Sequence, residues 1–182
     1  MDTPATVKTG YSRLTADDRQ LGASNLEFEL DNSTDVSAVA EHLACQASRS
    51  LLLHTENLEA VVYDRPGFLD AVSRLARSHA RVRIWILLQD SREALRSGHR
   101  LIELSRRLNT AVQIRRPSQE YRHFHESLLL ADGSGYLHRR NPNRYEGVAN
   151  FSDPGKVAEW EKYFMEIWER SEPDAEIRRL HL

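Results

Sequence analysis

The chain has 182 residues, 40% apolar and 29% charged, with a net charge of −2, enough for one domain with its own hydrophobic core. No run approaches the ~20 apolar residues that a membrane-spanning helix needs. Cys45 is the sole cysteine, which excludes an internal disulfide or a cysteine-based zinc site, fits a reducing cytoplasm, and is expected to lie on the buried face of a helix. The start MDTPATVKTGYSRLTADD has no apolar stretch behind basic residues, so no secretory signal is expected and the location is read as cytoplasmic.

Residues 1 to 35 are polar and mixed and are expected to form a loosely packed N-terminal extension, with LEFEL at 26 to 30 alternating as one short strand. RQLGAS at 19 to 24 approaches an acetyl-CoA phosphate loop but ends in serine and lacks a strand-to-helix setting. Asp35 precedes a helix, VSAVAEHLACQASR, with Val36, Val39, Ala40 and Leu43 on one face. SLLLHT at 50 to 55 is a fully apolar strand of the kind buried in a parallel sheet, in which His54 is expected to be a satisfied core residue.

Pro66 opens a second helix carrying Phe68, Val72 and Leu75. RVRIWILL at 81 to 88 is a strand, and a polar loop follows it. GHRLIELSRRL at 98 to 108 is a helix burying Leu101, Leu104 and Leu108; AVQIRR is the next strand. HFHESLLLAD at 123 to 132 reads as a strand from its first histidine. A Gly-Ser-Gly turn then leads into GYLHRR as a hairpin. A last helix spans about Pro154 to Arg170, with Val157, Trp160, Phe164, Ile167 and Trp168 in its core stripe, and residues 172 to 182 are left as a tail. Strands alternating with helices through the middle predict a single α/β domain over 36 to 171, built on a mostly parallel sheet with helices on both faces.

Charge is unevenly spread. From Leu95 to Arg144 there are ten arginines against four acids, so the predicted domain carries a basic zone that suits an anion.

One stretch carries a more specific signal. His125-x-Ser127-x-x-x-x-Asp132, followed by GVANFS at 147 to 152 and by the helix WEKYFMEIWERS, resembles the phospholipase D-like superfamily. That family is marked by His-x-Lys-x-x-x-x-Asp on a strand and by a later Gly-Ser-x-Asn. The resemblance covers about residues 48 to 171 and implies one half of a phosphodiesterase. It implies a histidine nucleophile at His125 forming a phosphohistidine, an aspartate (Asp132) that orients a histidine, and an asparagine (Asn150) that helps to hold phosphate. The family brings two motifs to one site. With a single copy, this chain would need a homodimer.

Ser127 stands where the family has its lysine, and Val148 replaces the first serine of the second motif. Losing a fixed cation from phosphoryl transfer removes several kcal/mol of transition-state stabilisation, about two to three orders of magnitude in rate. The expectation is therefore a catalytically degenerate phospholipase D-like domain. It would bind a phosphate-bearing ligand, nucleic acid or a protein partner through a basic cleft, using His123, Arg122, Arg140, Arg144, Asn150 and Ser152, without a cofactor. An active, metal-independent homodimeric phosphodiesterase, with Arg122, Arg140 or Arg144 replacing the lysine, is the alternative. A third reading is an accessory domain beside an N-acetyltransferase, since the resemblance extends to small bacterial domains found in that setting. His123 and His125 are spaced like metal ligands on a strand, but no further His, Cys or Asp has a telling position, so no metal is expected.

Overall fold

The computed structural model describes residues 10–178. In chain order the elements are β1 (Phe28–Leu30), α1 (Ser33–Gln46), β2 (Ser50–Thr55), α2 (Ala60–Tyr63), α3 (Pro66–Ser78), β3 (Arg83–Leu88), α4 (Arg92–Ser97), α5 (Arg100–Arg107) and β4 (Val112–Arg116). They continue with β5 (Ser127–Ala131), β6 (Gly135–Arg139), β7 (Gly147–Asn150), α6 (Pro154–Glu169), β8 (Glu172–Pro173) and α7 (Ala175–Arg178). Local chemistry sets several ends. The Asn32 side chain accepts from the Asp35 amide at 2.8 Å to start α1, and Asp153 accepts from the Lys156 amide at 3.1 Å to start α6. Pro66 and Pro154 occupy first-turn positions, where no amide is needed.

One sheet runs in the order β1-β7-β6-β5-β2-β3-β4-β8. Only the β2–β3 and β3–β4 pairs are parallel; β1–β7, β6–β7, β5–β6, β2–β5 and β4–β8 are antiparallel. The expected mostly parallel sheet is thus corrected to a mostly antiparallel one. Parallel neighbours need a crossover, and only the α2–α3 and α4–α5 segments supply one. After β4 the chain instead folds back through hairpins. The β5–β6 turn places Asp132 at φ 53 and Gly133 at φ 67, with the Ser134 amide donating to the Ala131 carbonyl at 3.0 Å. Two successive left-handed residues make the tight turn that suits strand twist.

Helices cover both faces, as expected. One core joins Leu43, Phe68, Val72 and Leu101 to Leu51, Leu53, Ile86, Leu129 and Leu137. The other joins Phe164, Ile167 and Trp168 of α6 to Leu52, Leu87, Leu128 and Leu130, with Trp85 and Trp168 stacked at 4.7 Å. Alternate residues of β2 and β5 serve opposite cores, which is why these strands read as unbroken apolar runs.

Three local expectations change. The N-terminal segment is not loose over its described part: Tyr11, Leu14, Phe28 and Leu30 are buried, and β1 joins the sheet edge. The described part of the C-terminal tail is likewise docked, with β8 on β4 and Ile177 buried. Cys45 lies on the exposed side of α1, because Leu43 and Ala44 take the inward positions.

Candidate phosphate site

The carboxyl ends of parallel strands β2 and β3 meet the start of antiparallel β5 at one edge of the sheet, a place where α/β folds commonly bind ligands. Strand β5 begins at Ser127. His125 is therefore not a strand residue, as the sequence suggested, but an exposed member of the loop leading in, together with exposed Arg122 and His123.

Two side chains, half-buried Gln89 and buried His54, hold that loop. The Gln89 amide, just past β3, donates to the carbonyls of Tyr121 at 3.2 Å and Phe124 at 3.1 Å. His54, near the end of β2, donates from Nδ1 to the Glu126 carbonyl at 2.6 Å, leaving Nε2 to face the Gln89 amide at 3.3 Å. Its ring also packs on Phe124 at 4.7 Å. His54 is 1% exposed, and burial lowers its pKa from 6.5 to about 4, against the opposing pull of its hydrogen bond to Glu126.

The unfolded chain takes up a proton at His54 as pH falls below 6.5, while the folded chain resists until about 4. Stability is therefore lost across that window as pH falls, by on the order of 3 kcal/mol from this group. Urea unfolding between these pH values is expected to show the slope in the natural chain and a smaller one in His54→Gln. Equal slopes would remove His54 from the account.

Beside the loop, Ser127 is 2% exposed and sits opposite Arg139 in the β5–β6 register. Arg139 has no exposed surface at all. Its guanidinium forms a two-pronged ion pair with Glu59, Nη1 reaching Oε1 at 3.1 Å and Nη2 contacting Oε2. Nη1 also donates to the Arg144 carbonyl at 3.1 Å and the Pro142 carbonyl at 3.4 Å. An arginine thus occupies the ground facing Ser127, but its charge is matched by Glu59 and its donors hold the 140–146 connection. Gly147 allows this packing: a Cβ there would lie 2.6 Å from Arg139 Cγ and 2.6 Å from the His138 carbonyl oxygen.

The remaining residues singled out from the sequence do not gather here. Asp132 lies past the far end of β5, about 17 Å along the strand from Ser127 at ~3.4 Å per residue. Its carboxylate accepts from the amides of Ser48 at 2.8 Å, Arg49 at 2.8 Å and Ser50 at 2.9 Å, and from the Ser48 hydroxyl at 2.9 Å. Within one chain it orients the start of β2, not His125. Asn150 is also at that far end: it pairs with Tyr136, which pairs with Leu130. Its amide donates to Asn25 at 2.9 Å, and its oxygen accepts from the Ser152 amide at 2.9 Å. GVANFS therefore contains a strand, β7, that runs away from the His125 edge, so Asn150 and Ser152 cannot hold a phosphate beside His125 of the same chain.

The expected basic cleft is divided as well. A cleft of about 800 Å³ near His138 and Trp160 includes Arg140 and Lys156, but also Glu27, Glu29, Asp31 and Glu146. Lys156 pairs with Glu27 at 2.7 Å and Arg144 with Glu146 at 3.6 Å. Acids from outside the arginine-rich stretch reach these positions through folding, so the excess of charge counted along the chain is partly cancelled in space. Arg122, Arg140 and His123 remain exposed. Among the described residues no group of three His, Cys, Asp or Glu side chains is arranged to hold a metal. Sequence reasoning missed Glu59, Tyr63 and Gln89; Arg139 was visible only as a charge in the hairpin, although alternation along GYLHR could have assigned it to a buried position.

The comparisons with known proteins agree with this architecture. No curated protein sequence matches the chain. Among solved structures, NucT from Helicobacter pylori superposes with a TM-score of 0.58 at 11% identity, over 82% of this chain and 98% of that one. Nuc from Salmonella typhimurium, a phospholipase D family member, gives 0.50 at 12%, over 75% and 89%. The archaeal chromatin protein TrmBL2 gives 0.59 at 18% over 81% of this chain, which spans about half (54%) of TrmBL2. These likenesses establish a phospholipase D-like fold. A family described as a domain of unknown function (DUF7931) matches residues 32–180, and the chain belongs to that family.

Proposed function

We propose that the chain is a catalytically degenerate phospholipase D-like domain whose His125 edge binds a phosphate-bearing partner, nucleic acid being the favoured one. The observation that carries this reading is the Ser127–Arg139–Glu59 arrangement. The lysine position holds a neutral serine, and the arginine facing it is neutralised by a buried carboxylate. Transition-state stabilisation of a phosphoryl group needs a cation free to meet its oxygens. Exposed Arg122, His123 and His125 on one anchored loop suit weak, electrostatic capture of a phosphate instead. The likeness to TrmBL2, described as showing a novel mode of DNA binding, favours nucleic acid among phosphate-bearing partners.

Two measurements test the reading. Hydrolysis of bis-p-nitrophenyl phosphate in the presence of a chelator is expected to stay at background. Turnover that disappears in His125→Ala would establish the alternative, an active homodimer in which the exposed His125 of two chains meet. Binding of a single-stranded oligonucleotide is expected to weaken steeply with salt, and Arg122→Ala is expected to reduce the slope of log affinity on log salt by about 0.7, one phosphate contact on a single strand. Salt-independent affinity would sink the electrostatic part of the proposal.

A further inference from the structure

The Glu59–Arg139 pair has the form of an occupied anion site. Glu59 meets the guanidinium end-on with both carboxylate oxygens, the same two-pronged geometry by which arginine receives phosphate. Yet the carboxylate does not exhaust the donors around it. Arg139 Nε is buried without a hydrogen-bond partner. The Tyr63 hydroxyl lies beside Arg139, Glu59 and Ser127, with the Ser127 and Arg139 side chains directed at its oxygen, and no acceptor takes its proton. Burial holds the Tyr63 phenol above its ordinary pKa, so it stays neutral and keeps its proton to donate. A carboxylate offers two oxygens, whereas a phosphate offers up to four. The unmet donors are therefore matched to an anion larger than the one in place.

The segment that delivers Glu59 is itself under tension. Leu58 adopts φ 55 although it is not glycine, a conformation that costs on the order of 1 kcal/mol or more in a bulky residue. The neighbouring Asn57 side-chain oxygen is buried and unpartnered. Glu59 then immediately precedes α2, a helix of a single turn (Ala60–Tyr63). A strained lead-in and a short helix oppose the ion pair and favour its release. Glu59 also retains 11% side-chain exposure while Arg139 has none, so of the two partners the glutamate is the one that water reaches.

We propose that Glu59 is a displaceable internal anion: it occupies Arg139 in the free protein, and a phosphate group takes its place, gaining Arg139 Nε and the Tyr63 hydroxyl as further donors. Because Arg139 also holds the Pro142 and Arg144 carbonyls, the exchange reaches the connection that carries Arg140 and Arg144. The inference rests on the phosphate-binding reading above and adds a means of regulating that site.

The test uses inorganic phosphate as the probe and isothermal titration of the full chain, with circular dichroism to confirm folding. Glu59→Gln removes the competing charge while keeping a side chain of the same shape, and is expected to bind phosphate about tenfold tighter than the natural chain. Adding Arg139→Met to that variant is expected to abolish the gain. A folded Glu59→Gln protein with unchanged phosphate affinity overturns the proposal, as does a gain that survives Arg139→Met. If Glu59→Gln does not fold, the natural chain still decides the matter: the Arg139 Nε–H proton resonance is expected to shift on titration with phosphate, and a resonance that does not move at millimolar phosphate overturns it. Oligonucleotide binding by the natural chain reads the underlying function separately. Binding that persists with no Glu59 effect defeats only the displacement.

Discussion

Arg139→Met is expected to destabilise the fold by about 3–5 kcal/mol in urea unfolding, the usual consequence of leaving one partner of a buried ion pair alone. The buried environment of the pair sets this cost more than its attraction does. Arg139 has no exposed surface, so Glu59, 11% exposed, would have little water with which to replace it. The same substitution releases the Pro142 and Arg144 carbonyls, adding the smaller cost of two unmade hydrogen bonds. The double variant Glu59→Met with Arg139→Met removes both charges and is expected to recover most of the loss, because hydrophobic replacements of buried pairs are often neutral. The two residues thus couple strongly, and a double-mutant cycle measures that coupling. A single Arg139→Met variant within about 1 kcal/mol of the natural chain would show that the pair is not buried in solution.

Asp132→Ala carries the second large effect, about 2–4 kcal/mol from the loss of charge-assisted hydrogen bonds. Four donors from Ser48, Arg49 and Ser50 converge on this carboxylate. Burial pushes the Asp132 pKa up, but those donors outweigh it and hold the group below the usual carboxylate value. A lowered folded pKa gives stability that is complete above the unfolded value and is lost as pH falls through the folded one. The natural chain should therefore lose more stability on acidification below about pH 4 than Asp132→Ala. Asp132→Asn separates the causes. Asparagine tolerates φ 53 at this turn, so its penalty reports lost charge and acceptors without added backbone strain. Equal stability of Asp132→Asn and the natural chain would reduce the aspartate to a turn residue.

Much of the fold was legible along the chain because local chemistry dictates it. The strands read at 50 to 55 and 81 to 88, the helices opened by Pro66 and Pro154, and the hairpin after the Gly-Ser-Gly stretch all follow from patterns within a few residues. What departs from the local pattern is non-local. GVAN is short and follows a polar loop, so it reads as part of a motif and not as a strand, and of the antiparallel half of the sheet only the β5–β6 hairpin is legible. Four strand residues with a single polar one among them carry too little periodicity to announce themselves.

The same division runs through the candidate site. The His125, Ser127 and Asp132 spacing, read as a sequence pattern, led to the phospholipase D-like fold and to the missing lysine. Glu59 and Arg139 are 80 positions apart, so no local pattern connects them; pairing β5 with β6 and packing α2 against that edge brings them together. The longer strands and helices, and the absence of a cation at Ser127, are readable from residue identity and short-range spacing alone. That Arg139 faces Ser127 already neutralised, and that Asp132 and Asn150 stand at the opposite end, emerges from the folded sheet. Strand register fixes those distances, and register is set by the packing of the whole sheet.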